Sequence, residues 1–404
     1  MKRAPCSRLA LGALAASAAL LAPVASAGAH GDRGHHGDHR TVVRPGESIQ
    51  AAVDAARPGT TIVVKRGTYA ENVVVATDGV TLKARGAELV PPAAPTPNAC
   101  SFGEPARDGI CAVGQLDTPP NAPPTVRDPI EDVTIKGFDV EGFAGTGILF
   151  LGADDPVVKG NETVDNGEYG IARFFSSGGA IVGNEASGSE EAGVYVGDSP
   201  EADVLIAGNR TFDNHLFGIF LRDAAGGRVV GNESSGNCVG AIVLNTGPNV
   251  AGDWRFLANR IHDNDRFCPA DGEEGAPPLS GIGIALANAS GNLLIGNKIV
   301  DNEPSGEVPF AGGVVVVDAR SPGAAPPAGN LVKGNVILGN EPDLFWDGSG
   351  SGNAFERNLC RTSVPEGLCE QRRLRDHDGD RDRGRHGDRD HDDDHGDRGG
   401  RRHR

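Results

Sequence analysis

An asparagine that returns about every 23 residues constrains this chain more than any other feature. Aligned on that residue, the copies read KGNETVDN (159–166), VGNEASGS (182–189), AGNRTFDN (207–214) and VGNESSGN (230–237). LANRIHDN (257–264), IGNKIVDN (295–302) and KGNVILGN (333–340) continue the series. The leading asparagines lie 23, 25, 23, 27, 38 and 38 residues apart, and Ser189 alone breaks the second asparagine column. A fixed period of this length, with β-rich runs between turn residues, is the signature of a stacked solenoid. The runs AIVGN, GVYVGD, VLIAGN, GIFLRD, AIVLN, GIALAN and GVVVVD are short, rich in β-branched residues and bounded by Gly, Asn or Asp. Leucine-rich repeats share the period, but leucine is sparse here.

These features predict an all-β fold: a single right-handed parallel β-helix of roughly ten coils, stacked about 4.8 Å apart. Gly and Asn suit turn positions that need left-handed backbone. Asparagines at one position of every coil can bond to the neighbouring coil's amide. PGESIQAAVDAARPGTT (45–61) predicts an N-terminal amphipathic helix cap, with Ser48 at its start and Ile49, Val53 and Ala56 on one face. DLFWDGSGSGNAFERNLC is expected to make the last coil.

The ends differ from the repeats. Residues 1–27 read as a secretory signal: Lys2, Arg3 and Arg8, then an apolar run, then Ala25-Ser26-Ala27. Residues 28–40 form a His/Asp/Gly-rich segment, and 371–404 an Arg/Asp/His/Gly-rich tail without the apolar residues that would offset ordering entropy. The β-helix domain is expected over 41–370, with a long insertion at 91–129. The expected location is extracellular, and no later segment is apolar enough to span a membrane. Six cysteines outside the signal suggest disulfides. Of the fifteen pairings available, the local one (Cys100–Cys111, Cys238–Cys268, Cys360–Cys369) encloses one loop per bridge.

The formal charge is −17, and −21 without the signal and the tail. That argues against nucleic acid, and against unassisted binding of acidic polysaccharides.

With the helix segment and the GNxxxxN…G[IV] repeats taken together, residues 41–365 resemble secreted proteins of the right-handed parallel β-helix superfamily. The pectate-lyase-like and NosD-type groups are nearest. The resemblance implies a fold shared by lyases, epimerases, hydrolases and non-catalytic members. EYGIARFF (168–175) is similar to the YG[FI]DPHD stretch of β-helix mannuronan epimerases. At the acid and histidine positions it carries Ala172, Phe174 and Phe175, so proton abstraction of that kind is not expected there.

Aligning the strand after each second asparagine puts Ile171, Val194, Ile219, Ala241, Ile284 and Val314 inward. Arg173 interrupts the next inward column, which calls for a partner or a splayed coil. Phe174, Tyr195, Phe220 and Arg222 fall on an outward face that could stack on sugar rings. Loops 265–280, 303–312 and 91–129 could instead cover that face. The candidate catalytic residues are His215, which could pair with Glu190 or Asp213, and Asp198 and Asp223 at strand ends. His262 with Asp263 is a second pair. Asp and Asn columns are more commonly turn caps. No cofactor is required by these motifs. Acidic rungs could hold Ca²⁺, though no calcium repeat occurs. Two histidines outside the tails, and a lone methionine in the signal, leave little for copper. Two functions follow: binding or processing of extracellular carbohydrate, by a lyase, hydrolase or epimerase if catalytic, or a non-catalytic structural or adhesion role in the cell envelope.

Overall fold

The computed structural model describes residues 39–119, 124–247, 251–270 and 276–369. The signal and the tail lie outside these residues. Thirty strands join one sheet. A typical coil is Ala180–Val182, Glu185–Ser187 and Ala192–Ser199, which we call its first, second and third face. Each pairs in parallel with its counterpart one coil on: Ala180 with Leu205, Glu185 with Arg210, and Tyr195 with Phe220. A small antiparallel pair, Gln115–Asp117 with Thr125–Asp128, sits in the expected insertion.

The core follows the inward columns. Ile171, Val194, Ile219, Ala241, Ile284 and Val314 are all 0% exposed. Polar groups at the corners are met by ladders. Asn161, Asn184, Asn209, Asn232, Asn259, Asn297, Asn335 and Asn358 form one column, each amide Nδ2 donating to the next Oδ1 at 2.9–3.0 Å. A second column runs through Asn214, Asn237, Asn264, Asn302 and Asn340. A third, through Asn292, Asn330 and Asn353, did not emerge from the repeat alignment.

Contrary to expectation, the ladder asparagines are not the left-handed residues. The residue before each one is, such as Gly208 (φ 59°) before Asn209 and Asp213 (φ 54°) before Asn214. The pair therefore divides the work: its first member turns the chain and its second reaches the next coil. The repeated strand glycines have a different cause, which is close approach. A Cβ on Gly218 would lie 2.5 Å from the carbonyl oxygen of Gly240 on the next coil.

The helix spans only Ile49–Asp54, with Ser48 accepting the Ala51 N–H at 3.1 Å. It adds Ile49 and Val53 to the core. Six residues reach only about 9 Å, which does not support a helix capping the coil section as expected. The three local cysteine pairs are bridged, with Cα–Cα separations of 6.5, 6.0 and 5.6 Å. No helix among the described residues is long and apolar enough to cross a membrane.

Candidate functional site

The third face carries the residues singled out by the repeat. Its outward side is an aromatic run spread over successive rungs. The Tyr195 ring stacks on Tyr169 at 4.4 Å between centroids and tilts against Phe174 at 4.8 Å. It meets the edge of Phe220 at 5.1 Å, and Phe220 packs on Phe217 at 4.4 Å. Tyr195 can lie down because the residue beneath its hydroxyl is Gly197, where any Cβ would collide with the ring.

Tyr195 and Phe220 point outward as expected, but they are not open. They are 1% and 4% exposed. Rungs about 4.8 Å apart let rings cover one another, which removes more apolar surface than leaving each in water. The flanking loops complete the cover. Cys100, Cys111, Cys238 and Cys268 belong to the same apolar cluster, and Leu279 and Phe310 pack against it. Neither Tyr195 nor Phe220 therefore offers a free ring face to a sugar. The neighbouring outward column stays partly open: Phe174 and Leu244 are half-buried, and the Arg222 side chain is 45% exposed.

At the exit end of these strands, Arg222 Nε lies 3.4 Å from Asp223 Oδ2. Asp223 is a turn cap. It accepts the Thr246 N–H at 2.7 Å and the Thr246 hydroxyl. Asp198 occupies the same position one coil earlier and is exposed. Partial burial pushes its carboxyl up, with Arg222 opposing and Asp223 adding to the shift. Burial opposes the charge on Arg222, but Tyr195, Asp223 and Asp198 outweigh it and hold the guanidinium more firmly protonated.

The entry end holds a cluster that sequence reasoning missed. Asp108 accepts the Thr146 N–H at 2.7 Å, and its carboxyl is pushed up to about 6, chiefly by burial. Arg107 lies 3.7 Å from Glu168, whose carboxyl burial also raises. The Tyr169 phenol is raised well above its ordinary value by burial and by Glu191. The available signal was Glu168 just before one strand and Glu190-Glu191 just before the next, acids on consecutive coils at this edge. Asp108 comes from the insertion, outside the repeat, and no alignment of copies could place it.

The expected pair His215–Glu190 forms, with Nδ1 2.9 Å from Oε2, on the open surface of the entry turn. His262 is held between Glu233 (2.9 Å) and Asp263 (2.5 Å). His215 is not brought to Asp198 or Asp223. The run Phe217–Asp223 separates them, about 20 Å at strand rise. The three candidate catalytic residues thus do not form one constellation. Among the described residues, no group of three or more His, Cys, Asp or Glu side chains is placed to hold a metal ion.

A family model described as "right handed beta helix region" matches residues 98–254. The chain is a right-handed parallel β-helix protein. The Dettilon tailspike protein superposes with a TM-score of 0.50 at 13% identity, over 80% of this chain and 68% of the tailspike. The Azotobacter vinelandii mannuronan C-5 epimerase AlgE4 A-module gives 0.48 at 14% identity, covering 78% of this β-helix chain and 88% of the module. The periplasmic alginate epimerase AlgG gives 0.39 at 15% identity, covering 80% of this chain and 83% of the epimerase. No curated protein matches the sequence. Likenesses this distant speak to fold alone.

Proposed function

We propose that this β-helix binds an extracellular carbohydrate on the partly open strip of its third face. The observation that carries the reading is Arg222, half-exposed beside Asp198 and Asp223 and flanked along the strip by half-buried Phe174 and Leu244. Charged fork, carboxylate and apolar surface in one row are what a sugar ring needs, since it has hydroxyl edges and apolar faces. The three disulfides fit a protein matured in an oxidising compartment, in keeping with a signal at 1–27 and a β-helix body at 41–370.

A structural or adhesion role is the second reading. The burial of Tyr195 and Phe220 beneath rings and cystine loops favours it, because that cover removes most of the aromatic surface a glycan would use.

A glycan array probed with the exported protein separates the two. The binding reading expects signals that fall in the Phe174→Ala/Arg222→Ala double variant. If the parent shows no signal above that variant, carbohydrate binding at this strip is wrong and the structural role stands.

A further inference from the structure

The N-terminal coils carry a cationic face on a chain of formal charge −17. Lys83 pairs in register with Lys136, and Lys136 with Lys159, so three lysines stand on consecutive rungs of the first face. Arg40, Lys65 and Arg85 border them, lining with Lys83 a cavity of about 350 Å³. None of these six has an ion-pair partner among the described residues. Farther along, the same column turns apolar at Val182, Ala207, Val230 and Leu257.

Like charges directly opposite on adjacent strands are destabilising. The apolar continuation shows that the fold does not require lysine at these positions. Stacking three in register therefore makes sense where an anion spans them. The rung spacing of about 4.8 Å is close to the length of one sugar ring in an extended chain. Beside the lysines runs a second outward column, Thr61, Thr81 and Thr134, each half-buried, which presents hydroxyls at the same spacing. Cations and hydroxyls in parallel rows match a chain bearing an acidic group and free hydroxyls on each unit. Acids flank this face on both sides: Asp78, Asp132 and Asp155 in the turns that precede its strands, and Glu88, Asp139 and Glu162 in register on the second face.

We propose that this face binds an acidic polysaccharide, laid along the lysine ladder with about one anionic group per coil. The site is separate from the third-face strip and does not rest on it. It also revises the expectation drawn from net charge. The total is negative, but folding gathers these cations on consecutive rungs of one face, where their fields add.

The probes are three polymers on one backbone: carboxymethyl dextran, dextran sulfate and unmodified dextran, titrated calorimetrically into the exported protein. Both charged dextrans are expected to bind at low salt and to weaken as salt rises, while plain dextran is inert. Lys83→Gln/Lys136→Gln/Lys159→Gln should lose about tenfold in affinity, with unchanged circular dichroism and an equal or higher melting temperature. Lys298→Gln, which removes an exposed cation of the second face, should bind the charged dextrans as the parent does, which ties any loss to the lysine ladder. Parental affinity in the triple variant would overturn the proposal, as would equal binding of plain dextran. Inorganic polyphosphate binding more tightly than either charged dextran would assign the face to phosphate polymers instead. A concentration-dependent dimer lost in the triple variant, without dextran binding, would assign it to a second copy of the chain.

Discussion

Asn209 donates from Nδ2 to Asn232 Oδ1 at 2.9 Å, and the same oxygen accepts the Asn209 backbone N–H at 2.9 Å. Asn209 Oδ1 in turn receives both groups of Asn184, and its Nδ2 also serves the Ile181 carbonyl. One side chain thus satisfies buried groups on both neighbouring coils. Asn209→Ala leaves several of them unpaired, each costing about 1–3 kcal/mol. The expected loss is about 3 kcal/mol, read as a lower urea midpoint at unchanged m-value. A loss below about 1 kcal/mol would mean that water replaces the ladder.

Ser189 interrupts the second ladder. It is fully buried, and its hydroxyl has no hydrogen-bond partner. Asn214 Oδ1 already accepts the Ser189 N–H at 3.2 Å, so the next coil is ready for an amide. Ser189→Asn should stabilise the fold by about 1 kcal/mol, seen as a higher denaturation midpoint. A lower midpoint would show that the corner lacks room.

Arg173 is 2% exposed among Phe150, Val196 and the rest of an apolar column. Of the two expectations, a partner or a splayed coil, a partner is present: Nη1 donates to the Gly178 carbonyl at 2.7 Å. Nε and Nη2 have none. Burial lowers its pKa to about 10, with Asp154 and Asp155 opposing. Replacing a poorly satisfied buried charge by an apolar side chain of similar size is commonly neutral or stabilising. Arg173→Met is expected to gain about 1–3 kcal/mol by calorimetric melting. A comparable loss would show that the guanidinium holds the 175–179 turn.

Asp108 supplies a pH dependence. Its folded value of about 6 lies above the ordinary carboxylate value of 3.8. The folded state therefore binds this proton more tightly than the unfolded chain does. The stabilisation is complete below the unfolded value and is lost as pH rises through about 6. Asp108→Asn keeps an oxygen for the Thr146 N–H and cannot ionise. The variant should match the parent near pH 4 and exceed it near pH 8 by on the order of 1–3 kcal/mol. Parallel melting curves across that range would rule out a buried, raised carboxyl at this position.

The fold was legible because a solenoid repeats locally. Each coil solves the same problem, so spacing alone exposes the Asn columns, the inward Ile171–Val194–Ile219 stack and the strand direction of Phe220 and Tyr195. The cystine pairing was readable for the same reason, since each bridge closes a single loop. What alternation cannot report is what lies over an outward residue. Tyr195 is hidden by rings one rung away and by loops from distant parts of the chain. Asp108 meets Glu168 only because the insertion folds back, 60 residues on in sequence. The lysine ladder needs the register: Lys83 and Lys136 are 53 residues apart and become neighbours only when the coils stack. Sequence period set the architecture because its forces act between identical positions. Exposure, pKa and charge pattern were decided by tertiary structure, because they depend on which non-repeating residues the stacking brings together.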